Sequence, residues 1–443
     1  MQKVGKENKK AFLKGAVTIA TGGFVAKLIG ALYRIPLTNL IGGRGIGLYQ
    51  LVYPVYCLLL TVSATGIPSS IAKLTAERNE NGGRAVFKTA MKLFLIIGGV
   101  GTLLMVLLAP LLAKAQGSEG VLFGYYALAP SVFLVSAISV FRGWFQGRNE
   151  MRPTALSEIT EQLVKVGFGL LFAYLFRDNI EKAVVFLLLS VSLSEGVALL
   201  LMLVLYKRVP APTVAKNEGG RVEMKTVLKL SVPVTLSSIL LPASALLDSV
   251  LAVRLMDAYA TDAVALYGLF SGGAVTMINL PVSIAYGIAV SSVPSVARAT
   301  TRKERTKRIF FALGLTAVLG LASAVALYFF APQAVRIVFR SLKEDETQTL
   351  IGLVKALSVS ALTLSLVQTL SACLTAQGKP QYSALSMLIA VAVKTATYVF
   401  LLRDPQISVF GLATATNLCY LVAFFLDLVY NLIINKRKKG EPR

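Results

Sequence analysis

Leu93 to Pro110 reads LFLIIGGVGTLLMVLLAP, eighteen residues without one charged side chain. A helix needs about 20 predominantly apolar residues to cross a bilayer, so this stretch with its flanks, 88–113, reads as one span. Working outward, runs of the same kind recur at 11–35, 48–72, 121–145, 154–176 and 182–206. They return at 228–255, 264–290, 308–331, 348–374, 382–402 and 408–434. Twelve spans predict an all-α polytopic membrane protein. Composition points the same way. Of 443 residues, 15% are charged and 55% hydrophobic, with a mean hydropathy of +0.70, whereas a soluble chain carries about 25% charged residues. The first run is too long for a signal-peptide core and lacks a small-residue cleavage site, so it is read as a retained span.

The chain has no His and 3 Cys, which excludes imidazole acid–base chemistry and Cys/His metal centres. Cys57, Cys373 and Cys419 lie in apolar runs and read as small core residues, with no disulfide framework. Lys and Arg number 45 against 22 Asp and Glu, a net +23. The excess sits on one set of connections: Lys3, Lys6, Lys9 and Lys10 before span 1, Lys73, Arg78, Arg84, Arg142, Arg148 and Arg152 further on, Lys207 and Arg208 after span 6, and Lys436 to Lys439 at the end. By the positive-inside rule both termini are expected to be cytoplasmic. The charge is then accounted for by topology and attraction to anionic membrane lipids; nucleic acid is not needed as a partner.

The sequence repeats once. Gly47-Leu48-Tyr49-Gln50-Leu51 opens span 2 and Ala265-Leu266-Tyr267-Gly268-Leu269 opens span 8. Gln146-Gly147-Arg148 with Ala155-Leu156-Ser157 answers to Gln377-Gly378-Lys379 with Ala384-Leu385-Ser386. In the same register Lys165 matches Lys394, and Glu195 falls opposite Asp427. The order of the matches implies an N-lobe at 1–206, a polar cytoplasmic linker at 207–227, a C-lobe at 228–434 and a tail at 435–443. These are pseudo-symmetric six-helix lobes related by an axis along the membrane normal.

A charge at mid-bilayer costs about 2.5–3.5 kcal/mol on insertion scales, so each intramembrane charge invites a functional reading. Lys27 and Arg34 stand seven residues apart on one face of span 1. Arg34, before Pro36, also suits a snorkelling role at the interface. Glu161 and Lys165 are spaced i, i+4 in the order that favours an intrahelical pair. Lys394 has no acid one turn away and is expected to face a cavity or a partner helix. Asp248, the acid of span 7, is expected to take a coupling cation or to serve as counter-charge to a lysine; Glu161 is the other counter-charge candidate. Lys73 and Arg298, at the ends of spans 2 and 8, read as interface anchors or as a cytoplasmic gate that guides an anionic headgroup. With Arg254, the internal cations Lys27, Arg34, Lys165 and Lys394 exceed what the acids neutralise, and a cavity lined by leftover cations attracts phosphate.

Ile41-Gly42-Gly43-Arg44-Gly45-Ile46-Gly47 is glycine-rich but has no following Lys-Ser/Thr and no preceding strand, so it reads as a connecting loop and not a nucleotide cradle. Glu344-Asp345-Glu346 reads as a solvated face. Intramembrane acids are scattered one or two to a helix, unlike the clustered carboxylates of a metal-dependent transferase; no enzyme and no cofactor are expected, beyond a coupling Na+ or H+.

Gly30-Ala31-Leu32-Tyr33-Arg34-Ile35-Pro36, Gly66-Ile67-Pro68-Ser69-Ser70, Ile278-Asn279-Leu280-Pro281 and Phe145-Gln146-Gly147-Arg148 through Glu161-Gln162 together resemble the multidrug/oligosaccharidyl-lipid/polysaccharide exporter superfamily. Within it the chain looks most like the bacterial polysaccharide-biosynthesis branch, which includes the stage V sporulation protein B and lipid II flippase families. The resemblance runs over essentially the whole chain. It implies two six-helix lobes and a central cationic cavity that turns an undecaprenyl-pyrophosphate-linked sugar across the bacterial cytoplasmic membrane by alternating access, with Lys27 and Arg34 where lipid II flippases use cations on their first helix. Those families commonly carry two further helices that hold the lipid tail, for which this sequence has no segment after span 12. A cation-coupled multidrug exporter and a non-transport scaffold for envelope assembly remain the alternatives.

Overall fold

The computed structural model describes residues 2–64, 66–77, 80–209, 224–299 and 301–436, with side chains from residue 25 onward and not at every position. Among them every element is helical. The chain runs α1 (Gln2–Ala64), α2 (Ile67–Ala76), α3 (Glu80–Ala115), α4 (Leu122–Gly147), α5 (Arg152–Leu175), α6 (Ile180–Lys207), α7 (Met224–Ser238) and α8 (Leu240–Met256). It continues through α9 (Ala263–Gly268), a π-helical turn at Leu269–Ala274, α10 (Val275–Ala297), α11 (Arg302–Val338), α12 (Glu344–Ala376), α13 (Pro380–Leu401) and α14 (Phe410–Lys436).

The twelve expected spans all fall on these helices, but nine helices of the described residues are long and apolar enough to cross on their own. Spans 1 and 2 join in one kinked helix. Span 5 carries Arg152, Glu158, Glu161 and Lys165 within α5. Span 7 is broken into α7 and α8, of 15 and 17 residues. The break has a local cause: Pro242 has no N–H to offer the carbonyl of Ser238, one turn back.

The glycine-rich stretch at 41–47 is a correction to the sequence reading. It is helix, not loop, turned at Gly42, whose φ of 67° and ψ of −175° are open only to glycine. Packing decides it. A Cβ on Gly47 would stand 2.1 Å from the Val264 carbonyl oxygen, and one on Gly268 would stand 2.2 Å from that of Gly43. The corner therefore lies against α9 backbone to backbone, which small residues alone permit. Glu344-Asp345-Glu346 also has more to do than face solvent. It forms the acidic first turn of α12, where Glu346 accepts from the Lys343 N–H at 3.2 Å and Glu344 pairs with Arg336 at 3.1 Å.

By packing, the chain forms two compact units: Met1–Tyr33 with Leu51–Leu246, and Arg34–Gln50 with Leu247–Arg443. In the first unit α4 packs on α2, α3 and α6, and α6 on α5. In the second, α12 packs on α10, α11 and α14, and α14 on α13. Span for span these pairings are the same, so the repeat in sequence is a repeat in fold. The expected linker at 207–227 lies mostly outside the described residues.

Within the first unit, Phe87, Phe141, Trp144 and Tyr206 form an aromatic knot, with Phe87 stacked on Tyr206 at 4.7 Å and Trp144 edge-on at 5.0 Å. Around it pack Ile67, Ile71, Val86, Ala198 and Met202. In α3, Ile96, Val100, Leu103, Leu104, Leu107 and Leu111 turn outward. Their spacing lays an unbroken apolar stripe along one face, which water would not tolerate and lipid does.

Candidate functional site

Each unit buries one cluster of charged side chains. In the first, α5 presents Glu161 toward α4, and its Oε2 accepts from Arg142 Nη2 at 3.1 Å. Arg142 also donates through Nε to Ser157 Oγ at 2.9 Å. From α6 comes Glu195, 2% exposed, whose Oε1 accepts from the Tyr56 hydroxyl at 3.2 Å while Oε2 is buried without a partner. Arg142 lies in the field of Glu161, Glu195 and Glu158, and Glu195 in that of Glu161, Arg142 and Lys165. Lys165 is 9% exposed.

Beside the intrahelical Glu161–Lys165 pairing expected from i, i+4 spacing, Glu161 makes a pair between helices. Arg142, counted from sequence among the cytoplasmic anchors, is the partner. Its signal was available: Phe141-Arg142-Gly143-Trp144-Phe145 sets an arginine among aromatics, ahead of the turn proper. Tyr56 carried no signal, since a tyrosine in an apolar helix reads as core.

In the second unit Lys394 of α13 donates from Nζ to Asp248 Oδ2 of α8, both side chains 12% exposed. The ammonium also lies 5.3 Å from the Tyr398 ring centre, and Tyr267 and Tyr420 lie in the field of the pair. Asp248 Oδ1, the Tyr398 hydroxyl and the Thr416 hydroxyl are buried without a hydrogen bond of ordinary geometry. An irregular turn of this unit bears on the cluster: Tyr267 stands in the last turn of α9, just before the π-helical turn. Such turns free backbone polar groups and mark functional positions in membrane helices.

Arg34 belongs to this second unit. It is half-buried, and its Nη1 donates to a neutral group, Thr276 Oγ1, at 3.1 Å; among the described residues it has no carboxylate partner. Gln50 donates to Ser271 Oγ in the π-helical turn at 2.7 Å. Arg254 is exposed in the last turn of α8. Lys73 and Arg298 are exposed at the ends of α2 and α10, with Glu77 at 4.0 Å from Lys73. The side chain of Lys27 lies outside the described residues.

The architecture is shared with solved transporters. The inward-facing conformation of a multidrug resistance MATE family transporter of the MOP superfamily matches with a TM-score of 0.79 at 16% identity, over 96% of this chain and 99% of that one. Lipid II flippase MurJ in an inward closed conformation matches with a TM-score of 0.74 at 13% identity, over 94% and 87%. The fold defines a multi-pass membrane protein with the helical architecture of these transporters. Residues 12–285 match the model of one family within that class, and the chain belongs to it: the polysaccharide biosynthesis proteins. Among curated relatives, stage V sporulation protein B of Bacillus subtilis (strain 168) is 27% identical over 424 residues, covering 92% of this chain and 81% of its own. Lipid II flippase MurJ of the same organism is 22% identical over 470 residues, covering 97% and 83%.

Proposed function

We propose that this chain is a secondary transporter that turns an undecaprenyl-pyrophosphate-linked oligosaccharide or cell-wall precursor across the bacterial cytoplasmic membrane by alternating access, with both termini cytoplasmic. One observation carries the substrate class: Arg34, half-buried in a membrane helix, is hydrogen-bonded to a threonine and to no carboxylate among the described residues. A guanidinium held in a poorly solvated site without its counter-charge is a standing receptor for a phosphate oxygen pair. Asp248 holds Lys394 and Glu161 holds Arg142, so those cations reach a ligand only by exchanging partners, whereas Arg34 exchanges nothing but a neutral hydroxyl.

In this reading Arg34 with Lys27 takes the pyrophosphate. Lys165, Lys394 and Arg254 make the further contacts to the headgroup, Asp248 and Glu161 are their resting counter-charges, and Lys73 and Arg298 guide the anion at the helix ends. An ion gradient or the membrane potential resets the cycle. The relatives named above, one a lipid II flippase, support the same substrate class.

The test is binding of an undecaprenyl-pyrophosphate-linked sugar to the purified protein by native mass spectrometry, wild type beside Arg34→Ala. A hydrogen bond to a charged group contributes about 1.5–3 kcal/mol, so the variant should bind roughly 10- to 150-fold more weakly. Equal binding by both proteins moves the site away from Arg34. Failure of the wild type to bind, with a hydrophobic organic cation bound instead, overturns the flippase in favour of a multidrug exporter.

A further inference from the structure

The repeat gives Asp427 of α14 the position that Glu195 holds in α6, yet their surroundings differ in charge. Around Glu195 stand Arg142, Lys165 and Glu161. The registers that align Gln146-Gly147-Arg148 with Gln377-Gly378-Lys379, and Ala155-Leu156-Ser157 with Ala384-Leu385-Ser386, set Cys373 opposite Arg142, Met387 opposite Glu158 and Ala390 opposite Glu161. The second half therefore keeps the buried acid, replaces Arg142, Glu158 and Glu161 with neutral side chains, and keeps a lysine opposite Lys165, Lys394, which is paired with Asp248.

Asp427 is 1% exposed. Its Oδ2 accepts from Ser371 Oγ at 2.8 Å, and Ser371 accepts in turn from Ser383 Oγ at 2.6 Å. Ser386 also lies within hydrogen-bonding reach of the carboxyl. Oδ1 is buried with no partner. The elements packed around it offer no opposite charge among the described residues. From α12 come Ser371, Cys373 and Gln377; from α13, Tyr382, Ser383 and Ser386; from α14 itself, Tyr430 and Asn431. From α11 come Ile309 and Leu313, with Arg308 committed to Glu304. A fully buried carboxylate without a cation is too costly to persist, and it neutralises by taking up a positive charge. A hard metal ion takes about six or more oxygens, whereas the acceptors left over here are Asp427 Oδ1, the Gln377 Oε1 that is likewise unpartnered, and a lone pair of Ser386. One proton on Oδ1 suffices.

We propose that Asp427 is a proton-binding site of the second half, loaded from water at the Gln377 end of the helices. Asn431 lies one turn from Asp427 and its Oδ1 accepts from Gln377 Nε2 at 2.9 Å. Gln377 is half-buried where α12 ends, and Asn431 donates to the Asp427 backbone carbonyl at 2.8 Å, so this pair of amides stands between the helix end and the turn that bears the carboxyl. Loading forms one O–H bond from a solvent hydronium and removes one buried negative charge; unloading reverses both. The use of this proton to drive transport rests on the proposed function, but its binding does not.

The experiment is infrared spectroscopy of the full-length protein in lipid nanodiscs, recorded as a pH titration. A protonated-carboxyl C=O band should titrate in the wild type and be lost in Asp427→Asn, which keeps the shape of the side chain and its acceptor for Ser371. Ser371→Ala retains the acid and should move the pH at which the band titrates, a readout that survives if Asp427→Asn fails to fold. An identical band in wild type and Asp427→Asn, or a Ser371→Ala titration matching wild type, overturns the proposal. Sodium-dependent thermal stabilisation of the wild type, absent in Asp427→Asn and without any titrating carboxyl, overturns it in favour of a metal-ion site. A titrating band in a protein that binds no lipid-linked sugar leaves the proton site standing and removes its role in flipping.

Discussion

Removing one member of the Asp248–Lys394 pair should destabilise the second unit far more than removing both. At an ordinary charge-assisted separation of about 2.8 Å, an effective dielectric of about 20 gives an attraction of about 6 kcal/mol. With both side chains 12% exposed, desolvation of several kcal/mol per ion offsets most of that, and the pair contributes little net stability. Take away Lys394, as in Lys394→Met, and the desolvation of Asp248 remains without its compensation. A buried pair broken in this way costs about 3–5 kcal/mol, a fall in Tm on the order of 6–20 °C for a unit of this size. Asp248→Asn leaves the ammonium stranded and should fall by a similar amount. The double variant Asp248→Asn/Lys394→Met buries no charge and should return to within about 1 kcal/mol of wild type. The assay is thermal unfolding of the four detergent-purified proteins, read by loss of the monodisperse peak after heating. Losses in the double variant that equal the sum of the two single losses would mean that the two groups act independently and that the pair is not coupled.

In the first unit, Arg142→Ala should be the most damaging single change in its cluster, at about 3–5 kcal/mol, because it strands Glu161 and withdraws a charge from Glu195. Arg142→Lys keeps the charge and should recover part of the loss, and a Tm series over the three proteins checks the order. Alkaline phosphatase fused after α14 should be inactive in bacterial cells if the basic tail is cytoplasmic; an active fusion reverses the orientation.

Much of the fold is legible in the apolar runs. The span placed at 121–145 appears as Leu122–Gly147, and that at 182–206 as Ile180–Lys207. Hydropathy carries this because in lipid every backbone group must be satisfied within its own helix. The corner at 41–47 was not legible, since glycine favours loops in isolation and only the close approach to α9 makes its lack of a side chain an asset. The break in span 7 was encoded locally by Pro242, but hydropathy is blind to it.

The site divides along the same line. That Lys394, Asp248, Glu161 and Glu195 stand largely out of water and need partners follows from the cost of charge in the membrane. Their partners do not follow, because Lys394 and Asp248 lie 146 residues apart and Arg142 reaches Glu161 from another helix. Spacing along one helix could only offer Lys165. The contrast between Glu195 and Asp427 was present in the repeat, but it became meaningful once helix packing showed what surrounds each acid.

The proposed function requires that this chain move a lipid carrying a pyrophosphate-linked sugar. The most direct measurement places the purified protein in sealed vesicles with a fluorescent undecaprenyl-pyrophosphate sugar and follows its transfer between leaflets by quenching from outside. Transfer that requires the protein, exceeds that of empty vesicles and falls in Arg34→Ala is the predicted result. Transfer no faster than in empty vesicles under any imposed ion gradient or membrane potential, by protein that is folded and correctly inserted, would contradict it.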